Sequence, residues 1–156
     1  MRGPGNLAWV PTAQEIFDDA VREILRPRMK ALGFAGSGTT FRLPSDSHFA
    51  MIGLQKSQFS DRRSLKFTAN VTVIGKDAWE ALRCSMPFYP ARPAPNTFYG
   101  RGETDVWQVR IGHLLPGGED RWWWIASDAD AAAAVDELVA AIETSVLPEM
   151  HERLRA

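Results

Sequence analysis

The sequence predicts an α+β domain: an antiparallel sheet of about five strands, with an N-terminal and a C-terminal helix packed on one face. Three observations lead there. Apolar residues recur at helical spacing near both ends of the chain. Segments between them alternate apolar and polar residues, which marks strands with one covered and one wetter face. The order is helix, strands, loop, strands, helix.

The leader, residues 1–11, holds two Gly and two Pro and reads as flexible. The domain proper is residues 12–156. Thr12 opens the first helix, and Glu15 three residues on completes a capping box. Ile16, Phe17, Ala20, Val21, Ile24 and Leu25 form its apolar stripe, while Asp18, Asp19, Arg22 and Glu23 lie off it. Pro27 lacks an amide and is expected to kink or end the helix, with Met29 and Leu32 continuing it to Gly33. Phe34 to Leu43 reads as a strand whose Gly-Ser-Gly centre implies a turn or bulge. His48 to Ser57 follows a Pro-Ser-Asp-Ser turn and completes a hairpin. Leu65 to Val73 is the cleanest strand: Leu65, Phe67, Ala69, Val71 and Val73 point one way, and Lys66, Thr68, Asn70 and Thr72 the other.

Lys76 to Cys84 fits a short helix, and Pro87 to Asn96, with four prolines, an irregular loop. Thr104 to Leu115 alternates again, and a Pro-Gly-Gly turn leads to a Trp-rich strand, Arg121 to Ala126. Together they suggest a second hairpin. Ser127 and Asp130 resemble a capping box that opens the last helix, with Val135, Leu138, Val139, Ile142 and Val146 as its stripe. Pro148 is expected to kink or end that helix. No internal repeat or linker divides the chain.

Bulk properties narrow the function classes. With 156 residues, 45% hydrophobic and 24% charged, the chain can bury a real core. A net charge of -1 gives no global basic field for a phosphate backbone, so nucleic acid is not expected as a partner; a local patch at Arg62, Arg63 and Lys66 is the alternative. No apolar run is long enough for a membrane span or a signal peptide, so a cytoplasmic location is expected. The lone Cys84 forms no internal disulfide and is expected to be a packed structural residue. His48, His113 and His151 lack ligand spacing, so no metal site is expected. The glycines from Gly33 to Gly38 follow a helix and lack the Gly-Lys-Ser/Thr of a phosphate loop. No cofactor is implied. Pro87-x-x-Pro90 and Pro90-x-x-Pro93 match a polyproline ligand weakly, and an ordered surface loop is the better reading.

Two groups of residues remain as site candidates. Trp122, Trp123 and Trp124 alternate across a strand, so they cannot all face one core. Either some are exposed beside cations or they pack under the Pro-rich loop. Gln55, Lys56, Ser57, Asn70, Gln108, Arg110 and His113 are polar strand residues that neighbouring strands would gather into one concavity. Such a cluster suits a carboxylate, phosphate or peptide backbone. It contains no nucleophile–base pair, which favours binding over bond breaking; His113 is the one proton-transfer candidate.

Several short motifs carry a resemblance: Leu32-Gly33-Phe34, Thr40-Phe41-Arg42, Leu54-Gln55-Lys56-Ser57, Phe67-Thr68-Ala69-Asn70-Val71 and Arg110-Ile111-Gly112-His113-Leu114, then the Trp-rich strand. From about Gln14 to Leu147 the chain resembles the bacterial family called domain of unknown function 4304. The resemblance implies a compact α+β domain and no reaction, cofactor or catalytic residue. It draws attention to Gln55, Lys56, Ser57 and Asn70, and marks the loop between Met86 and Phe98 as a local elaboration.

The expectation is a non-enzymatic binding domain, monomeric or homodimeric, holding a protein partner through its sheet face and Trp123, for example an immunity-type protein that blocks a toxin. The alternative is a small-molecule-binding protein or enzyme, with Gln55, Asn70, Arg110 and His113 around an anionic ligand.

Overall fold

The computed structural model describes residues 9–99 and 106–155. Most of the predicted leader lies outside them; Trp9 and Val10 are exposed and belong to no element. The architecture is α+β, with a six-stranded antiparallel sheet.

The first helix runs as α1 (Ala13–Ala20), a π-helical turn (Val21–Leu25) and α2 (Arg26–Ala31). Its capping box forms as expected, with Thr12 Oγ1 accepting the Glu15 amide and the Glu15 carboxylate accepting the Thr12 amide, both at 3.1 Å. Pro27 does not end this helix. In α register its ring would collide with a carbonyl one turn back. The π turn widens the backbone just ahead of it, and the Arg26 amide reaches back five residues to the Val21 carbonyl. The extra residue also rotates the stripe: Leu25 and Met29 are buried while Ile24 faces solvent.

The predicted strand Phe34 to Leu43 is itself a hairpin, β1 (Ala35–Ser37) and β2 (Thr40–Leu43), turning at Gly38. Then come β3 (His48–Lys56), β4 (Leu65–Gly75), α3 (Lys76–Ser85), β5 (Val106–Arg110) and β6 (Trp123–Ile125). Residues 104 and 105 of the predicted fifth strand lie outside the described residues. The chain closes with α4 (Asp128–Ala141), a π turn (Ile142–Val146) and α5 (Leu147–Leu154). Pro148 repeats the device of Pro27, with the Leu147 amide donating to the Ile142 carbonyl.

Strands β1 to β4 pair in sequence, and the far edge of β4 carries both β5 and β6. This corrects the second predicted hairpin. Strand β5 pairs with residues 70–74 and β6 with residues 65–67, so they lie end to end on one neighbour and not beside each other. Residues 111–122 form an excursion between them, beginning with a 3₁₀ turn at Ile111–Leu114. Gly112 permits its closure: a Cβ there would sit 2.2 Å from the Glu119 carbonyl oxygen and 2.5 Å from the Arg121 amide.

The N- and C-terminal helices cover one face of the sheet, the helix face. Phe17, Leu25, Ile52, Phe67, Val71, Leu138 and Val146 pack there in one apolar core. Trp123 is also buried there, stacked 5.6 Å from Phe67, and its Nε1 donates to Glu137 at 2.7 Å. The opposite face is covered at one end by α3 and the Pro-rich loop, with Trp79 and Tyr99 in a second, smaller core. Trp79, not the Trp triplet, packs under that loop, donating to the carbonyls of Pro90 and Ala91. Cys84, expected to be packed, is exposed on α3. Among the described residues, no helix is long and apolar enough to cross a membrane.

Candidate functional site

The loop face was expected to be wet, yet its centre is closed: Thr68 and Thr72 are fully buried. Thr68 Oγ1 donates to the Arg121 carbonyl at 2.6 Å, and Thr72 Oγ1 accepts from Gln108 at 3.4 Å. The excursion and the Pro-rich loop have replaced water over these strands.

The Pro-rich loop is seated by Gly53. A Cβ on Gly53 would lie 2.6 Å from the Pro95 ring, so only glycine lets the loop approach this closely. Asn96 then donates from Nδ2 to the Leu54 carbonyl at 3.0 Å and accepts on Oδ1 from Asn70 Nδ2 at 2.8 Å. Asn70 Nδ2 gives its second hydrogen to Gln55 Oε1 at 2.7 Å. Gln108 holds the next stretch of loop, donating to the Thr97 carbonyl at 2.7 Å and accepting the Tyr99 amide at 2.8 Å. Four amide side chains thus join three strands to one loop.

Beside this network lies a cavity of about 640 Å³, within the usual size of small-molecule sites. Gln55, Asn70, Gln108, Arg110 and His113 line it, as do Asn96, Phe98 and Asp120. Sheet register explains the gathering, because Asn70 stands opposite Arg110 and Thr72 opposite Gln108. His113 comes from the 3₁₀ turn and hydrogen-bonds through Nδ1 to the Gly118 carbonyl at 2.9 Å. A carbonyl can only accept, so Nδ1 carries the hydrogen, and in the neutral ring Nε2 is an acceptor.

Arg110 Nη1 reaches Asp120 Oδ2 at 3.2 Å, and the same oxygen accepts the Trp122 indole N–H at 2.8 Å. Burial alone would raise the Asp120 carboxyl. The Trp122 donor, Arg110 and His113 outweigh it and hold that carboxyl below its ordinary value. Trp122 in turn packs under the Arg110 guanidinium, 5.1 Å from the ring centre. This leaves Arg110 donors unbonded among the described residues, on a side chain 34% exposed.

Three candidates fall elsewhere. Lys56 points to the helix face and donates to Gln14 Oε1 at 2.8 Å. Ser57 shapes the β3–β4 turn, its hydroxyl accepting the Phe59 amide at 3.1 Å. Trp123, placed at a partner surface by the sequence reading, has its indole in the helix-face core. The alternation itself is correct, since Trp124 is 57% exposed on the other face, with Lys66 Nζ 5.0 Å from the Trp122 ring and 5.4 Å from the Trp124 ring. Among the described residues no group of histidine, cysteine and carboxylate side chains could hold a metal ion.

The sequence reading missed Asn96 and Asp120. Asn96 had one signal: it ends a stretch stiffened by four prolines, where a polar side chain is held in place. Asp120 sits in a turn with no pattern of its own.

The family model described as domain of unknown function (DUF4304) matches residues 25–152. The chain belongs to that family. The DUF4304 match takes in every residue that lines the cavity. No curated protein and no solved structure matches the chain.

Proposed function

We propose that this DUF4304 domain binds a small anionic ligand in the loop-face cavity, with Arg110 as its charged anchor. One observation carries the reading: Gln55, Asn70, Gln108, Arg110 and His113, from three strands and a turn, converge on one cavity of about 640 Å³. Guanidinium donors pair well with carboxylate or phosphate oxygens. The Asn70 oxygen, unbonded among the described residues, the Gln55 amino group and His113 Nε2 supply the neutral contacts that orient a ligand. The lining supports binding over bond breaking. Among the described residues it has no serine, cysteine or lysine, and the one hydroxyl, on Thr97, has no bond to His113.

The test is a thermal-shift screen against soluble carboxylates and phosphate esters, followed by calorimetry on hits. The expected outcome is a ligand that raises Tm and binds at least tenfold more weakly to Arg110→Ala and Asn70→Ala. A panel without a shift, or hits that bind both variants as well as the parent, would retire the reading.

A protein-partner reading, immunity-type or other, draws on a different observation. Trp124 and Phe59 are 57% and 76% exposed near the Lys66 end of the sheet. Aromatic anchors of this kind suit a protein interface. Capture of a stoichiometric partner, lost in Trp124→Ala and kept in Arg110→Ala, is its expected signature. Equal capture by both variants counts against it.

A further inference from the structure

The Pro-rich loop divides the loop face. On the side away from the first cavity it leaves another, of about 160 Å³, between β2, the start of α3 and the loop. Arg42, Lys76 and Arg92 line it together with His48, and among the described residues no carboxylate does. Elsewhere arginines such as Arg28, Arg83 and Arg121 each hold a carboxylate. Here none of the three cations has an ion-pair partner among the described residues, although Asp46 and Asp77 are close in sequence.

Sheet register places Arg42, and a hydrogen bond places Lys76. Arg42 stands opposite Met51 in the sheet and shares its face, and Met51 is fully buried at the floor. Lys76 Nζ donates to the Ser45 carbonyl at 2.8 Å and lies 5.6 Å from the Phe49 ring centre. That fixes the ammonium and leaves it two further hydrogens to donate. Both guanidinium groups are without hydrogen-bond partners among the described residues.

We propose that this cavity binds a phosphoryl group. Gathering three like charges around one hollow is unfavourable until an anion neutralises them. A carboxylate offers one charge and two oxygens. A phosphate dianion offers more of both, and suits two guanidinium forks and an ammonium. The cavity is smaller than the ~300 Å³ at which small-molecule sites begin, so it takes the charged group of a ligand and not a whole nucleotide. The site is separate from the first cavity, where the single guanidinium is partly neutralised by Asp120.

The experiment titrates the isotope-labelled full chain with inorganic phosphate, O-phosphoserine or acetate, and follows the amides of Ser45, His48 and Lys76 by NMR. Saturable shifts of these amides with phosphate or the monoester are expected, weakening as sodium chloride rises. Arg42→Gln and Arg92→Gln should each bind at least tenfold more weakly with the rest of the spectrum intact, and Arg22→Gln, at an exposed arginine of the first helix outside both cavities, should bind as the parent does. Arg92 lies on an exposed loop, so its variant keeps the test valid if Arg42→Gln folds poorly. Saturation by the monoester but not by inorganic phosphate would place the ligand among phosphate esters. Acetate binding as tightly as phosphate would overturn the phosphoryl assignment. Absence of saturable shifts, or parental affinity in both arginine variants, would overturn the site.

Discussion

The two faces of the sheet are built from the same strands and held by different physics. On the helix face, Ile52, Phe67, Val71 and Trp123 meet two amphipathic helices in one apolar core. Burial of apolar area holds it together, and that force is non-directional. On the loop face, Asn70, Gln108 and the Leu54 carbonyl meet a loop with no regular structure of its own, and directed hydrogen bonds to its Asn96 and Thr97 hold it beside the smaller apolar core of Trp79 and Tyr99. The first face is tolerant in detail and strong in sum. The second is specific in detail, and it leaves two hollows where strand and loop do not fill the space.

The largest effect is expected on the helix face. Trp123→Ala removes a buried ring that stacks on Phe67 and leaves Glu137 without the indole donor. It should destabilise the domain by about 3–5 kcal/mol, read as a lower urea midpoint at unchanged slope. An unchanged midpoint would mean that the ring does not belong to the core.

Next comes the seat of the loop. Gly53→Ala places a methyl group 2.6 Å from Pro95 and 2.8 Å from Asn96 Oδ1. Overpacking of this kind costs about 1–3 kcal/mol. The expected signature is local: the Asn96 side-chain amide resonances shift while the helix-face methyls stay put. Shifts spread evenly over both faces would show the faces to be coupled.

Asn70→Ala tests the directed bonds alone. It strips the donor from Gln55 and Asn96, at a cost of about 1–2 kcal/mol because both acceptors can reach solvent. Stability equal to the parent would mean that the loop is held by Pro95 packing and not by the amide network.

The smallest effect is electrostatic. Asp120 has a folded-state pKa below its unfolded value of about 3.9, so the native state binds fewer protons there. Its contribution is present above the ordinary carboxyl range and is lost as pH falls through the folded value. The group is substantially exposed, so the slope is shallow. Asp120→Asn should flatten the acid limb of the stability curve slightly and leave stability at neutral pH close to the parent. A steeper acid limb in the variant would reverse the assigned direction.

The helix face was largely legible. Its stripes, the Thr12–Glu15 capping box and strand alternation are local patterns in which each residue announces its own side; at the last helix Ser127 caps Asp130, whose carboxylate accepts the Ala126 amide instead of closing a box. The exceptions are instructive. Pro27 and Pro148 look like kinks or helix ends, yet a π turn before each absorbs the ring and the helical chain runs on. Ile24 leaves the predicted stripe for the same reason. The β5–β6 hairpin failed because turn chemistry says that a chain reverses or detours, not which neighbour it then pairs with. Of the polar candidates, Gln55, Asn70, Gln108, Arg110 and His113 share a cavity because alternation placed the strand residues on one side. Lys56 and Trp123 went to the other side by the same rule.

The sequence by itself determined the class of fold, the apolar faces of its terminal helices and the side of the sheet on which most strand residues stand. Each of these follows from a repeat of 2 or about 3.6 residues along the chain, a property of local geometry. Only the tertiary structure decided that the Pro-rich loop lies across the sheet at Gly53, that Asp120 comes to Arg110, and that Arg42, Lys76 and Arg92 line one cavity with no carboxylate among the described residues. Those are meetings of residues far apart in the chain. They are set by which surfaces fit and which charges find partners, and no local repeat encodes either.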